Sequence, residues 1–139
     1  TSGVTGAVTA LEHANIVFLA SYVTAAATAK AIRESAPSEV SILAMGIRSR
    51  EPAPEDECCG DYLEHLLSGS PYDHVSALQE ILTQETTQKF LRGDKSYLPR
   101  EDVPICLQLN LFPFALRAEH RHGNIIAEMV YPEMLAGQP

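Results

Sequence analysis

The chain has 139 residues, enough for one domain with a real core and too few for two. Hydrophobic residues make up 45% and charged residues 20%, the ordinary balance of a globular domain. Ten basic against eighteen acidic residues leave a net charge of −8, which argues against a nucleic-acid-binding face while allowing a local basic pocket for a small anion.

Residues 16–20 are among the longest apolar runs and are far too short to span a bilayer. No basic stretch leading into an apolar one opens the chain. The expectation is a cytoplasmic protein with neither a membrane nor a nucleic-acid partner. Cys58, Cys59 and Cys106 are odd in number, and two are adjacent, which makes a poor disulfide framework. They read as reduced, buried thiols.

In chain order, residues 1–7 are small and polar and lead into an amphipathic stretch through Leu11, a short helix that Ser2 or Thr5 could cap. Residues 15–20 form a short apolar run of the kind seen in strands covered on both faces. A helix with alanines and Ile32 at helical spacing follows over 23–35 and breaks at Ala36-Pro37-Ser38. Residues 40–45 read as a second buried strand. Strand, helix and strand within about thirty residues is the signature of a parallel pair, so 16–20 and 40–45 are expected to be neighbours.

Residues 46–54 form a polar loop at the end of that strand, where open α/β sheets gather ligands. Pro54 suits a first helical position, with Glu55, Asp56 and Glu57 in the first turn. The buried stripe of this helix is Cys59, Tyr62, Leu63, Leu66 and Leu67, and 68–71 close it. Val75, Leu78, Ile81 and Leu82 stripe the next helix. Residues 89–99 read as irregular and 103–109 as a strand. Residues 112–118 and 125–130 read as a hairpin around His120-Arg121-His122-Gly123-Asn124. The expected fold is α/β, with a mixed, partly parallel sheet flanked by helices in three layers (α/β/α) and a C-terminal β-hairpin. One domain covers 1–131, and 132–139 form a tail.

Several segments, in order, resemble the C-terminal half of the 2-phosphosulpholactate phosphatases. Thr1-Ser2-Gly3-Val4-Thr5 is similar to the family's Thr-Thr/Ser-Asn-Gly-Thr turn, with Gly3 and Val4 where Asn and Gly are usual. Ala20-Ser21-Tyr22-Val23-Thr24-Ala25 is similar to Ala-Ser-Phe-x-Asn-Ala. Gly46-Ile47-Arg48-Ser49-Arg50 with Pro54-Glu55-Asp56-Glu57-Cys58-Cys59-Gly60 resembles Gly-x-x-Gly/Ser-x followed by Glu-Asp-x-x-Cys-Ala-Gly. Residues 101–108 resemble Asp-Val/Ile-x-Phe-Cys-x-Gln. The resemblance implies a Mg²⁺-dependent phosphatase acting on a small anionic phosphorylated molecule, of the coenzyme M biosynthesis type. The family's Asp-Val-Leu-Arg-Ala-Ser/Thr motif does not occur here, so the chain is expected to correspond to the C-terminal half alone.

With that resemblance, Glu55 and Asp56 are the candidate catalytic and Mg²⁺-holding residues, since Mg²⁺ takes one or two carboxylates plus phosphate oxygens. An acidic first turn is also an ordinary complement to the helix dipole. Arg48, Ser49 and Arg50 are the candidate phosphate ligands, because a guanidinium fork matches phosphate geometry. They serve equally as solvated charge opposite Glu51, Glu55 or Glu57. Ser2 and Thr5 are the remaining phosphate candidates, or plain helix caps. Cys58-Cys59 lacks zinc spacing, and no activating base is local to Cys106. A non-catalytic anion-binding or oligomerising domain is the alternative function. A homo-oligomer is expected in either case, formed through the elements near Thr1.

Overall fold

The structure, a computed structural model, describes residues 2–48 and 50–133. The expected tail from 132 lies mostly outside them. Among the described residues the order is α1 (Ser2–Leu11), β1 (Val17–Leu19), α2 (Ala25–Glu34), α3 (Pro54–Ser68), α4 (His74–Leu82), α5 (Glu85–Arg92), α6 (Asp102–Cys106), β2 (Ala115–Arg121) and β3 (Asn124–Val130).

Its sheet has the order β1-β2-β3 with both pairings antiparallel, Phe18 opposite Arg117 and Ala118 opposite Ala127. The C-terminal hairpin is present. His122 and Gly123 turn it with φ of 51° and 80°, the two positive dihedrals of a type I′ turn that suits the strand twist.

α2 presents Ala25, Ala27, Thr28, Ala29 and Ala31 as its buried residues. Such small side chains let the helix lie close to its neighbours, and buried Ala115 and Ala118 of β2 are equally small. A larger core cluster joins Tyr22, Ala25, Cys58, Tyr62, Leu63, Ala77 and Ile81. Hydrogen bonds tie its polar atoms. The Tyr72 hydroxyl donates to that of Tyr22 (2.9 Å) and meets His74 Nδ1 (2.8 Å). Asn110 Nδ2 donates to the Tyr62 hydroxyl (2.7 Å), and Asn110 Oδ1 accepts the Ala26 N–H at the start of α2 (2.9 Å).

Several expectations are corrected. Residues 16–20 and 40–45 are not a parallel pair: β1 takes its partner from β2, near the other end of the chain. Residues 40–45 lie outside the three-stranded sheet, which is antiparallel and not the core of a three-layer sandwich. Residues 103–109 are not a strand but begin as α6. Pro104 lacks the N–H that a ladder needs, whereas a helix's first turn leaves that N–H unpaired anyway. The stretch from 89, expected to be irregular, opens inside α5, which ends on Gly93 with a left-handed φ of 67°. Cys106, expected to be buried, is exposed.

Candidate functional site

The 46–54 loop folds back on itself. Ile47 N–H donates to the Glu51 carbonyl (2.8 Å), and the N–H groups of Arg50 and Glu51 donate to the Ile47 carbonyl (3.1 and 3.2 Å). Gly46 enters this turn at φ 65°, and a Cβ there would collide with the Glu51 carbonyl oxygen. Glycine is therefore required by both dihedral and space.

α3 fixes the turn from below. Asp56, in its first turn, accepts the Gly46 N–H at Oδ2 (2.8 Å). The helix begins at Pro54, preceded by buried, extended Ala53, which offers no side-chain cap. The Asp56 and Glu57 N–H groups turn back to the Ala53 carbonyl (3.0 and 3.1 Å). Since proline has no N–H, this terminus presents little free amide to an anion. A phosphate held here would depend on guanidinium, not on the helix end.

A cavity of about 260 Å³ opens beside the turn, lined by Ala44, Met45, Gly46, Arg50, Glu51, Pro52, Ala53 and Glu57. Arg50 thus reaches the cavity, and Asp56 holds its wall through Gly46. Arg48 stands at the turn's outer corner with φ 53°, exposed and away from the lining. Glu55 is half-buried beside Asp56, and among the described residues it makes no hydrogen bond or ion pair. Ser49 lies outside the described residues. Ser2 and Thr5 lie on α1, which comes to the same corner because Gly6 stands against Met45.

The local charge balance is unfavourable to an anion. Arg48 and Arg50 share one short stretch of sequence with Glu51, Glu55, Asp56 and Glu57. Among the described residues no three His, Cys, Asp or Glu side chains are arranged to hold a metal. Mg²⁺, however, is commonly held by one or two carboxylates together with waters and substrate phosphate. Glu55 and Asp56, adjacent in the first turn of α3, are the carboxylates available for such a sparse site, and their side chains leave the helix in different directions.

Thiol nucleophiles do not fit. Burial, then the nearby carboxylate of Glu80, pushes the Cys58 thiol up, and burial with Asp56 pushes Cys59 up to about 12. Both stay protonated near neutrality, where only a thiolate would attack. Sequence reasoning took Cys59 for the buried stripe, but Cys58 is the more deeply buried of the two. It also missed the Tyr22–Tyr72–His74 hydrogen-bonded set. Three tyrosines at core positions were the available signal, because a buried hydroxyl needs a partner.

Fold and loop together define a mixed α/β protein with arginines and carboxylates gathered where a tight turn meets a helix start. The family model for 2-phosphosulpholactate phosphatase matches residues 1–120, and the chain belongs to that family. No curated protein and no solved structure matches it. Among the described residues no helix is long and apolar enough to cross a membrane.

Proposed function

We propose that the 46–54 loop and the start of α3 form the phosphate- and Mg²⁺-binding corner of a phosphatase that hydrolyses the phosphate monoester of a small acidic molecule, 2-phosphosulpholactate being the family's substrate. The observation that carries this reading is the Asp56–Gly46 hydrogen bond. It locks the turn to α3 and leaves Arg50 lining the cavity beside it. Family membership supplies the reaction class.

Arg50 would hold phosphoryl oxygens, with Arg48 adding field from outside the cavity. Glu55 or Asp56 would hold Mg²⁺, directly or through water, and the ion when bound offsets the negative charge of the phosphoryl group. The excess of carboxylates at this corner supports a cation requirement, because two guanidiniums among four carboxylates attract a phosphate dianion poorly by themselves. A cytoplasmic setting accords with three free cysteines.

Calorimetric titration with inorganic phosphate, with and without Mg²⁺, tests the reading. Phosphate should bind measurably only with Mg²⁺ present. Arg50→Ala should weaken that binding by roughly 10- to 100-fold, the usual effect of losing a charge-assisted hydrogen bond. Arg48→Ala should weaken it less. Glu55→Gln should remove the benefit of Mg²⁺ with the fold intact by circular dichroism. Phosphate binding that ignores both Mg²⁺ and Arg50→Ala would refute the assignment.

A further inference from the structure

The cavity of about 260 Å³ beside the 46–54 turn has three charged side chains in its lining, Arg50, Glu51 and Glu57, and the rest of the lining is uncharged. One guanidinium against two carboxylates leaves it net negative. Glu55 and Asp56, in the same helical turn as Glu57, do not line it. Among the described residues none of the three charged side chains of the lining makes a hydrogen bond or an ion pair, so no internal partner offsets their charge.

Backbone contacts fix where both carboxylates start. Glu51 closes the turn: its carbonyl accepts the Ile47 N–H (2.8 Å), and its own N–H donates to the Ile47 carbonyl (3.2 Å). Glu57 stands in the first turn of α3, its N–H donating to the carbonyl of buried Ala53 (3.1 Å). A cavity of that volume is about 8 Å across, about one Debye length at physiological ionic strength. A phosphate dianion at Arg50 would therefore feel both carboxylates with little screening, two repulsions against one attraction.

We infer that Glu51 and Glu57 determine the specificity of this cavity: they bar free phosphate from Arg50 and admit it only together with a divalent cation. The inference rests on the phosphate corner proposed above and separates two roles among its carboxylates. Glu55 or Asp56 holds the cation, whereas Glu51 and Glu57 make it obligatory. A site that repels the bare dianion discriminates by an unfavourable contact as well as a favourable one. Free sulfate, of the same shape and charge, is turned away by the same two groups.

Calorimetric titration of the whole chain with inorganic phosphate at low salt, with a chelator or with Mg²⁺, tests this. The parent should bind measurably only with Mg²⁺. Glu51→Gln combined with Glu57→Gln, a pair of isosteric changes at exposed positions, should let phosphate bind in the chelator. The gain should be on the order of 10-fold for each carboxylate removed, the effect of a unit charge on a dianion about 6 Å away in water. Added salt should shrink that gain, and Arg50→Ala on the same background should abolish the cation-free binding. Glu55→Gln alone should yield no such gain. A double variant that needs Mg²⁺ as the parent does, or an equal gain from Glu55→Gln, would overturn the inference and leave the phosphate corner in place. Failure of the corner reads differently: phosphate binding in the parent would ignore both Mg²⁺ and Arg50→Ala, or would be absent from parent and double variant alike, and the inference would fall with it.

Discussion

Gly46→Ala isolates the turn on which the site rests. Gly46 sits at φ 65°, where an L-residue costs about 1–2 kcal/mol. Its new Cβ would also meet the Glu51 carbonyl oxygen, a backbone atom that no rotamer change can move aside. Relieving that collision must disturb the Ile47–Glu51 hydrogen bond or the Gly46–Asp56 one, each with a net value of about 0.5–1.5 kcal/mol or somewhat more for the carboxylate. The total is about 2–4 kcal/mol, and phosphate binding should fall with it. Gly69 is the matched control. It has φ 78°, and a Cβ added there would find nothing within 4 Å, so Gly69→Ala meets the dihedral cost alone, about 1–2 kcal/mol. Urea unfolding of both variants gives the comparison. If Gly46→Ala loses no more than Gly69→Ala, the turn is not the clamped structure described above.

Asn110 has φ 57° and uses both side-chain atoms, toward Ala26 and Tyr62. Asn110→Ala should cost about 2–4 kcal/mol, and Asn110→Gly less, because glycine relieves the dihedral; equal losses in urea would refute that split. The Asp73 carboxyl, capping α4, is held below the usual range chiefly by the Ser76 hydroxyl and then by backbone N–H groups. A depressed folded value means its contribution is present above the unfolded value and is lost as pH falls through the folded one. Asp73→Ala should therefore lower the melting temperature at neutral pH, with the gap to the parent closing in acid; a gap constant with pH would refute it. Iodoacetamide near neutral pH should label exposed Cys106 before Cys58 and Cys59, and peptide mass spectrometry showing the reverse order would contradict the burial assignment.

The helices and the hairpin were legible where the pattern was local. Pro54 followed by three acidic residues marks a helix start, and a hairpin was expected around residues 120–124, where the strands in fact run on to Arg121 and Asn124 and only His122 and Gly123 form the turn. The sheet was not legible in the same way. The apolar runs at 16–20 and 40–45 have similar compositions, and nothing in either says that β1 will pair with Leu116, Arg117 and Ala118. Register is set by long-range contacts that periodicity does not encode. At 103–109 a β-rich composition gave way to a helix because Asp102 and Pro104 suit a first turn. Arg48 and Arg50 read alike in sequence, two residues apart. A turn with φ 53° at Arg48 places one outside the cavity lining and the other in it.

Met45 and Gly46 are where the fold and the proposed site meet. Met45 is held by α1 through Gly6, and the next residue is held by α3 through Asp56. The position of Arg50 therefore depends on two helices and on the six residues before Gly46, none of which could contact a phosphate through charge. Among the described residues, 40–45 make no backbone–backbone hydrogen bond, so their order rests on the packing of Ile42 against Gly60 and of Met45 against Gly6. The entry to the loop is thus held by packing and the turn itself by the Asp56 hydrogen bond, and the geometry at Arg50 depends on both.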